Sequence, residues 1–347
     1  MVRRAAAATT LTLAAAGSAV AGAQTPTVPP PAPAPVATAP APPPAPVPAP
    51  APPPAPAQAK LRLQAERVGA GGAVLAGAGW RVRGTVTPYV AGQHVTVRFY
   101  RGTKKLRARA VTVRPSSTGR SGTFLVGFSS GRSGSVTVRA SHRATAELAT
   151  AVARAVRVTV LPRYAAPGSS GAVVRLLQTR LAAMGYVVGR RGSYDGRTAR
   201  AVQAFRKSTG LARTFVADKA VFAKLAAGAG RFKVRYPSHG RHVEADLSKQ
   251  VLALIGAGGK VERIYPTSSG KPSTPTILGS FRFYSKTPGT NAKGMVDSNY
   301  FIRGYAIHGY ADVPPYAASH GCLRVPVPDA VTIFRWVRLG DRIDVYR

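Results

Sequence analysis

Ile307-His308-Gly309-Tyr310-Ala311-Asp312-Val313-Pro314-Pro315-Tyr316-Ala317-Ala318-Ser319-His320-Gly321-Cys322-Leu323-Arg324 carries the only cysteine of a 347-residue chain and two of its six histidines. A thiol becomes a strong nucleophile when a neighbouring base takes its proton. His308 lies fourteen residues before Cys322. That interval suits a strand, a connecting loop and a return strand that bring the imidazole beside the thiol. His320 and Cys322 have even spacing, so on an extended segment their side chains share a face. Gly309 and Gly321 leave the backbone uncrowded for a substrate or a free N–H. Two other readings stand beside this one. A lone cysteine is often a small core residue, and His308, His320 and Cys322 have the chemistry of three zinc ligands. Against the first, the segment is rich in Gly, Pro, Ser and Tyr, as loops that carry sites are. Against the second, there is no further cysteine to complete a site.

The run Ser319-His320-Gly321-Cys322-Leu323-Arg324, with Ile307-His308-Gly309 upstream, resembles the signature of the L,D-transpeptidases, the YkuD-like catalytic domain of bacterial cell-wall synthesis. The resemblance covers about residues 241–347. It takes in Thr274-Pro275-Thr276 with Gly279-Ser280-Phe281, and Asp329-Ala330 with Gly340-Asp341-Arg342-Ile343. On the residues, Cys322 is the candidate nucleophile and His308 its base and later acid. Backbone N–H groups around Gly321 and Cys322 are candidates for an oxyanion hole, with Ser319 and His320 orienting the loop. Arg324 has the charge and fork geometry to grip a substrate carboxylate, or to pack the loop through an ion pair. The resemblance implies that the base histidine is oriented by the carbonyl of the next residue, here Gly309. It also implies a two-step acyl transfer. A thioester forms on the third residue of a peptidoglycan stem with loss of terminal D-alanine, and a second stem's amine then resolves it. Neither a cofactor nor a metal is expected. Water in place of the amine would make an L,D-carboxypeptidase. An inert, wall-binding protein and a zinc-dependent wall peptidase remain as alternatives.

Residues 1–23 open Met-Val-Arg-Arg, run through an uncharged Ala/Thr/Leu-rich stretch and end in Ala19-Val20-Ala21-Gly22-Ala23. A basic start, an apolar middle and small residues at the end predict a secretory signal peptide, and so an extracytoplasmic location in the wall or a periplasm-like space. An uncleaved membrane anchor is the other reading of this stretch. Residues 24–59 follow as a Pro/Ala-rich spacer, with seventeen prolines among positions 26–56. Proline fixes φ and lacks a backbone donor, so this segment builds no core. Fully stretched it spans on the order of 100 Å.

The remainder predicts a multidomain, mainly β protein. Over 60–162, short alternating segments such as Trp80–Val86, His94–Tyr100 and Ser135–Arg139 predict a β-sandwich similar to an immunoglobulin-like module. Over 163–229 the spacing turns helical. Val173, Val174, Leu177 and Leu181, then Ala199, Val202 and Phe205, then Val221, Phe222 and Leu225 mark three helices. With Leu176-Leu177-Gln178, Gly185-Tyr186, Tyr194-Asp195-Gly196 and Gly210-Leu211, this resembles a peptidoglycan-binding three-helix domain. Val216-Ala217-Asp218-Lys219 departs from its pattern where a Gly-containing turn is usual. Over 230–347 the chain predicts strands with one helix from Pro328 to Val337. His239 and His242 read as surface residues without partners.

The formal net charge is +37, from 49 Lys and Arg against 12 Asp and Glu. A surface of that kind attracts polyanions. For an exported protein these are anionic wall polymers or a membrane surface rather than nucleic acid. The resemblance adds peptidoglycan stem peptides and glycan as partners.

Overall fold

The computed structural model describes residues 54–347; the expected signal peptide and most of the expected spacer lie outside these residues. Ala57, at the end of the stretch read as spacer, already forms an isolated bridge with Leu148. Its N–H donates to the Glu147 carbonyl, and its carbonyl accepts from Ala149.

The first ten strands are β1 (Lys60–Glu66), β2 (Ala73–Leu75), β3 (Trp80–Thr87), β4 (His94–Arg101), β5 (Lys104–Thr112), β6 (Arg114–Pro115), β7 (Gly122–Phe128), β8 (Gly134–His142), β9 (Ala151–Val152) and β10 (Val156–Leu161). They form two sheets, ordered β1-β3-β7-β6 and β2-β10-β8-β4-β5, with β9 beside β8. Alternate residues point inward, as the period of a half-buried strand requires. In β3, Trp80, Val82, Gly84 and Val86 are buried. Between the sheets Phe99 stacks on Phe128 at 4.3 Å, and Trp80 meets both rings edge-on.

Three helices follow: α1 (Ala172–Ala182), α2 (Gly196–Ser208) and α3 (Lys219–Ala226). Asp195 caps α2 by accepting from the Thr198 N–H at 2.8 Å, and Asp218 caps α3 through Val221 at 3.1 Å. The unusual Val216–Lys219 stretch therefore still starts its helix, with Asp218 accepting one of the first-turn N–H groups.

Beyond lie β11 (His242–Asp246), β12 (Val251–Ile255), β13 (Val261–Pro266), β14 (Gly279–Arg282), β15 (Ser285–Thr290), β16 (Val296–Ile302), β17 (Tyr305–Tyr310), β18 (Leu323–Pro326), α4 (Val327–Trp336) and β19 (Arg342–Tyr346). They make a five-stranded sheet, β13-β12-β11-β19-β14, and a four-stranded sheet, β15-β16-β17-β18. All five residues of β12, Val-Leu-Ala-Leu-Ile, are buried. Val251, Ala253 and Ile255 join Leu177, Leu181, Val202 and Phe205 of the helices in one core. Leu252 and Leu254 face the other way and join Ile307, Leu323, Val325 and Ile333. A strand covered on both faces reads as a continuous apolar run rather than as an alternation.

His239 and His242 are not the unpartnered surface residues the sequence suggested. His242 is fully buried, with Nδ1 2.7 Å from the Gly240 carbonyl and Nε2 3.1 Å from Glu244. His239 Nδ1 lies 3.0 Å from Asp344. β11 runs between β12 and β19, and the parallel register sets Glu244 opposite Asp344. Burial opposes charge on His242, but the Glu244 carboxylate and the Gly240 carbonyl outweigh it and raise its pKa.

One buried lysine joins the helices to the sheet. Lys207 of α2 is 4 % exposed, and its Nζ donates to the carbonyls of Gln250 and Thr267 at 3.2 and 2.9 Å. Burial, with the Arg213 charge behind it, pushes its pKa down to about 7. Between that value and the ordinary lysine pKa the unfolded chain holds one more proton than the folded one, so this residue makes stability rise with pH. Relative to Lys207→Met, the wild-type protein gains about 1 kcal/mol per pH unit on going from pH 7 to pH 9, measured by urea unfolding at each pH.

Candidate active site

β17 and β18 pair parallel, with Ile307 opposite Leu323 and His308 opposite Arg324. The expected strand, loop and return strand are present, and the return strand is parallel to the first. The chain crosses back through residues 311–322 and enters β18 in the same direction. Ile307, Leu323 and Val325 face the core. His308 and Arg324 take the opposite face together with Tyr310. The His308 and Tyr310 rings meet edge-on at 5.6 Å, and the Arg324 guanidinium lies 4.1 Å over the Tyr310 ring. Cys322 sits just ahead of β18, half-buried, with Sγ donating to the Gly304 carbonyl at 3.6 Å.

His308 is 3 % exposed, and its Nδ1 lies 2.9 Å from the Gly309 carbonyl oxygen. A carbonyl only accepts, so Nδ1 carries the proton and Nε2 is left as the basic nitrogen. Burial lowers the His308 pKa, and the Arg324 charge adds to that effect against the Gly309 carbonyl. Burial raises the Cys322 pKa, and a backbone hydrogen bond at Ala306 with the charges of Arg324 and Lys293 only partly offsets it. Both groups are therefore held neutral at rest. Arg324 acts on both, disfavouring imidazolium and favouring thiolate.

The loop before the thiol is held from one side by residues 267–276. Thr267 Oγ1 and the Ser268 N–H donate to the Arg324 carbonyl at 2.8 and 3.0 Å, and the Arg324 N–H returns a bond to Ser268. The Ser269 carbonyl accepts from the N–H groups of Ala318 and Ser319. Ser268 Oγ donates to the Tyr316 carbonyl, and Thr276 Oγ1 to that of Gly321 at 2.7 Å. Within the loop, Ser319 Oγ accepts from the Gly321 N–H at 3.0 Å and donates to the Cys322 carbonyl at 2.6 Å. Ser269 is held in turn by both amide atoms of buried Gln250, the residue whose carbonyl Lys207 grips.

Three expectations change. The Gly321 N–H is already bonded to Ser319, so it does not stand free as an oxyanion donor. Neither glycine leaves open space. A Cβ on Gly321 would lie 2.2 Å from the Tyr305 ring at φ +119°, and one on Gly309 would lie 2.8 Å from Ala330 of α4. His320 and Cys322 do not lie on an extended segment, because the chain bends at 320–322. His320 is exposed. Arg324 has one carboxylate near it, Asp312 at 3.7 Å, which is itself 74 % exposed. Among the described residues no group of three His, Cys, Asp or Glu side chains is placed to share a metal ion, and no helix is long and apolar enough to cross a membrane.

Tyr310 was missed, although its spacing of two from His308 on a strand sets it on the same face. The Thr267–Gly270 brace and Lys207 carried no signal, because their partners lie at long sequence separation.

The fold and the site define a class: a mainly β protein with a single half-buried thiol at the entry to a strand that pairs with the one carrying a buried, backbone-anchored histidine. Residues 240–345 match the L,D-transpeptidase catalytic domain (YkuD), and residues 170–225 match a putative peptidoglycan binding domain. L,D-transpeptidase 1 of Mycobacterium tuberculosis is 32 % identical over 117 residues, 26 % of this chain and 45 % of that protein. The match thus spans under half the length of this curated relative. A crystal structure of the L,D-transpeptidase (residues 123–326) from Xylanimonas cellulosilytica is 35 % identical, with a TM-score of 0.50, covering 54 % of this chain and 98 % of that one. The chain belongs to the L,D-transpeptidase family.

Two neutral partners predict how the thiol reacts in the free protein. Alkylation of Cys322 by iodoacetamide, followed by intact mass across pH, rises only above the ordinary thiol range. A plateau below neutrality would instead mean a preformed thiolate–imidazolium pair. Gly321→Ala costs about 2 to 3 kcal/mol of stability in urea unfolding, from overpacking against Tyr305 and a left-handed φ.

Proposed function

We propose that this protein is an exported cysteine acyltransferase that cross-links peptidoglycan stem peptides through a thioester on Cys322. Residues 1–23 act as its export signal, and the Pro/Ala-rich stretch up to residue 56 spaces the folded part from the membrane. The sandwich over 60–162 and the helices over 163–229 carry the catalytic region over 230–347 into the wall.

The observation that carries the reading is the His308 imidazole. Its Nδ1 proton is committed to the Gly309 carbonyl, its Nε2 is unprotonated, and it stands on the strand that pairs with the one following Cys322. As the thiol attacks the carbonyl of the third stem residue, His308 Nε2 takes the sulfur's proton. The C–S bond forms, and the carbonyl electron pair moves onto oxygen. Collapse of that oxyanion expels the terminal residue, whose amine takes the proton back from His308. A second stem's amine then attacks the thioester, gives up a proton to His308 and releases the thiol. The neutral resting state suits this order, because charge appears only as the bonds change. Arg324, already close to both reacting groups, stabilises the thiolate as it develops and favours a substrate carboxylate nearby.

The full chain incubated with a disaccharide-tetrapeptide gives free D-alanine and a cross-linked dimer by mass. Cys322→Ala gives neither, and His308→Gln lowers the rate by about a hundredfold or more. Monomeric tripeptide without dimer would make water the acceptor. No turnover, with retained binding to insoluble peptidoglycan, would leave a wall-binding protein.

A further inference from the structure

The sandwich and the helices meet in a shared core, where Leu75 and Leu161 of the sandwich join Leu177, Val221 and Phe222 of the helices. Two cavities open along this seam. One, of about 630 Å³, is walled by Arg132 from the turn between β7 and β8, Arg163 from the stretch after β10, and Lys219 at the start of α3. The other, of about 260 Å³, has Arg67, Arg163 and Arg180 in its walls. Arg163 lines both, so the two adjoin. The turn that carries Arg132 is held in place, because Arg101 Nη2 donates to Ser130 Oγ at 2.7 Å and to the Arg132 carbonyl at 2.8 Å. Gly77 makes room for the Arg163 guanidinium: a Cβ there would lie 2.5 Å from Nη2.

Five cations therefore line the seam, and no acidic residue lines either cavity. The nearest acids in sequence are committed elsewhere. Glu66, next to Arg67, pairs with Arg83 and Arg81. Asp218, next to Lys219, caps α3 and pairs with Arg206 at 3.1 Å. Arg180 Nη1 is buried without an acceptor among the described residues. Closed to solvent, that nitrogen meets no ligand itself, but its charge is left unmatched. Like charges gathered at a fixed seam oppose the compact state until an anion joins them. Arginines elsewhere in the chain, such as Arg197, Arg200 and Arg241, have a carboxylate beside them. Four of the five seam cations are arginines, whose diffuse and weakly hydrated charge suits a phosphodiester better than a compact carboxylate. Cations spread along two adjoining cavities also match charges repeated along a chain better than one small ion.

We propose that this seam binds a linear phosphodiester polymer, with Arg163 between two successive phosphates, Arg132 and Lys219 flanking one and Arg67 and Arg180 the other. The proposal rests on the proposed function only for where such a polymer is met. An exported protein encounters phosphate-bearing wall polymers and not nucleic acid. None of the seam cations is among the residues around Cys322 and His308, so binding here is additional to the handling of stem peptides.

Direct binding tests this apart from catalysis. The full chain is titrated calorimetrically with a glycerol-phosphate oligomer and with a polyuronate oligomer of equal charge. The variant Arg132→Gln/Arg163→Gln/Lys219→Gln is compared with Lys104→Gln/Arg107→Gln/Arg109→Gln, which removes the same charge from exposed positions of β5. The phosphate oligomer binds, and the polyuronate binds more weakly. The seam variant weakens phosphate binding about tenfold or more and flattens its salt dependence, while the β5 variant changes it by less than about twofold. If Arg163→Gln unfolds the chain in thermal melts, the exposed pair Arg132→Gln/Lys219→Gln is read instead, with a loss of about threefold or more. Equal losses in the seam and β5 variants would leave only diffuse attraction to a net charge of +37 and overturn the site. Equal affinity for the polyuronate would overturn the phosphate assignment. Seam-dependent binding to phosphatidylglycerol vesicles, with none to the soluble oligomer, would overturn the polymer in favour of a membrane. Turnover of a disaccharide-tetrapeptide through Cys322 is unchanged in the seam variant, so failure of this site and failure of the proposed reaction are read separately.

Discussion

The arrangement depends on satisfying the backbone of a sharply bent loop beside a half-buried thiol. Residues 316–324 cannot pair as a strand throughout, because the chain bends at 320–322 and Gly321 sits at φ +119°. Buried N–H and carbonyl groups that lose their ladder partners must find others. Here the Thr267–Thr276 segment supplies them, bond by bond, to Tyr316, Ala318, Ser319, Gly321 and Arg324. Ser319 closes the remaining turn by bonding on both sides of His320-Gly321. The thiol's position is thus set by a hydrogen-bond lattice and not by its own packing.

That lattice extends beyond the catalytic region. Gln250 holds Ser269 with both amide atoms, and Lys207 of α2 grips the carbonyls of Gln250 and Thr267. Arg197 and Arg200 of the same helix clamp Asp329, at the start of the helix that follows β18. A matched helical module and a matched catalytic domain therefore share a core as well as their polar contacts. Displacing α2 would strand a buried lysine, a buried aspartate and the outer face of β12 together. This coupling favours a rigid relation between the helices and the thiol over a loosely tethered binding module.

Much of this was legible in the sequence, for identifiable reasons. The sandwich showed itself because one face of each strand meets water, so Trp80, Val82 and Val86 alternate with polar neighbours. The three helices showed themselves through apolar spacing, whereas the caps at Asp195 and Asp218 emerge only in the structure. Cys322 and His308 stood out because the only cysteine and two of the six histidines fell in one short stretch, and Arg324 because it ends the signature run around that cysteine. What stayed hidden was long-range. The run Val251–Ile255 gave no sign that its second face meets the helices. Nothing local marked Lys207 as buried, and the charge-rich surroundings argued against it. His242 was misread for want of its partner, although Glu244 stood two residues along the same strand. Glycine was read as open space, whereas Tyr305 and Ala330 fill it.

The most direct measurement is the mass of the protein within seconds of mixing with a disaccharide-tetrapeptide, quenched in acid and followed by peptide mapping. The account predicts an adduct equal to the donor less its terminal residue, located on Cys322 and discharged when an acceptor amine is added. An unmodified Cys322 while turnover proceeds, or an adduct on any other residue, would contradict it.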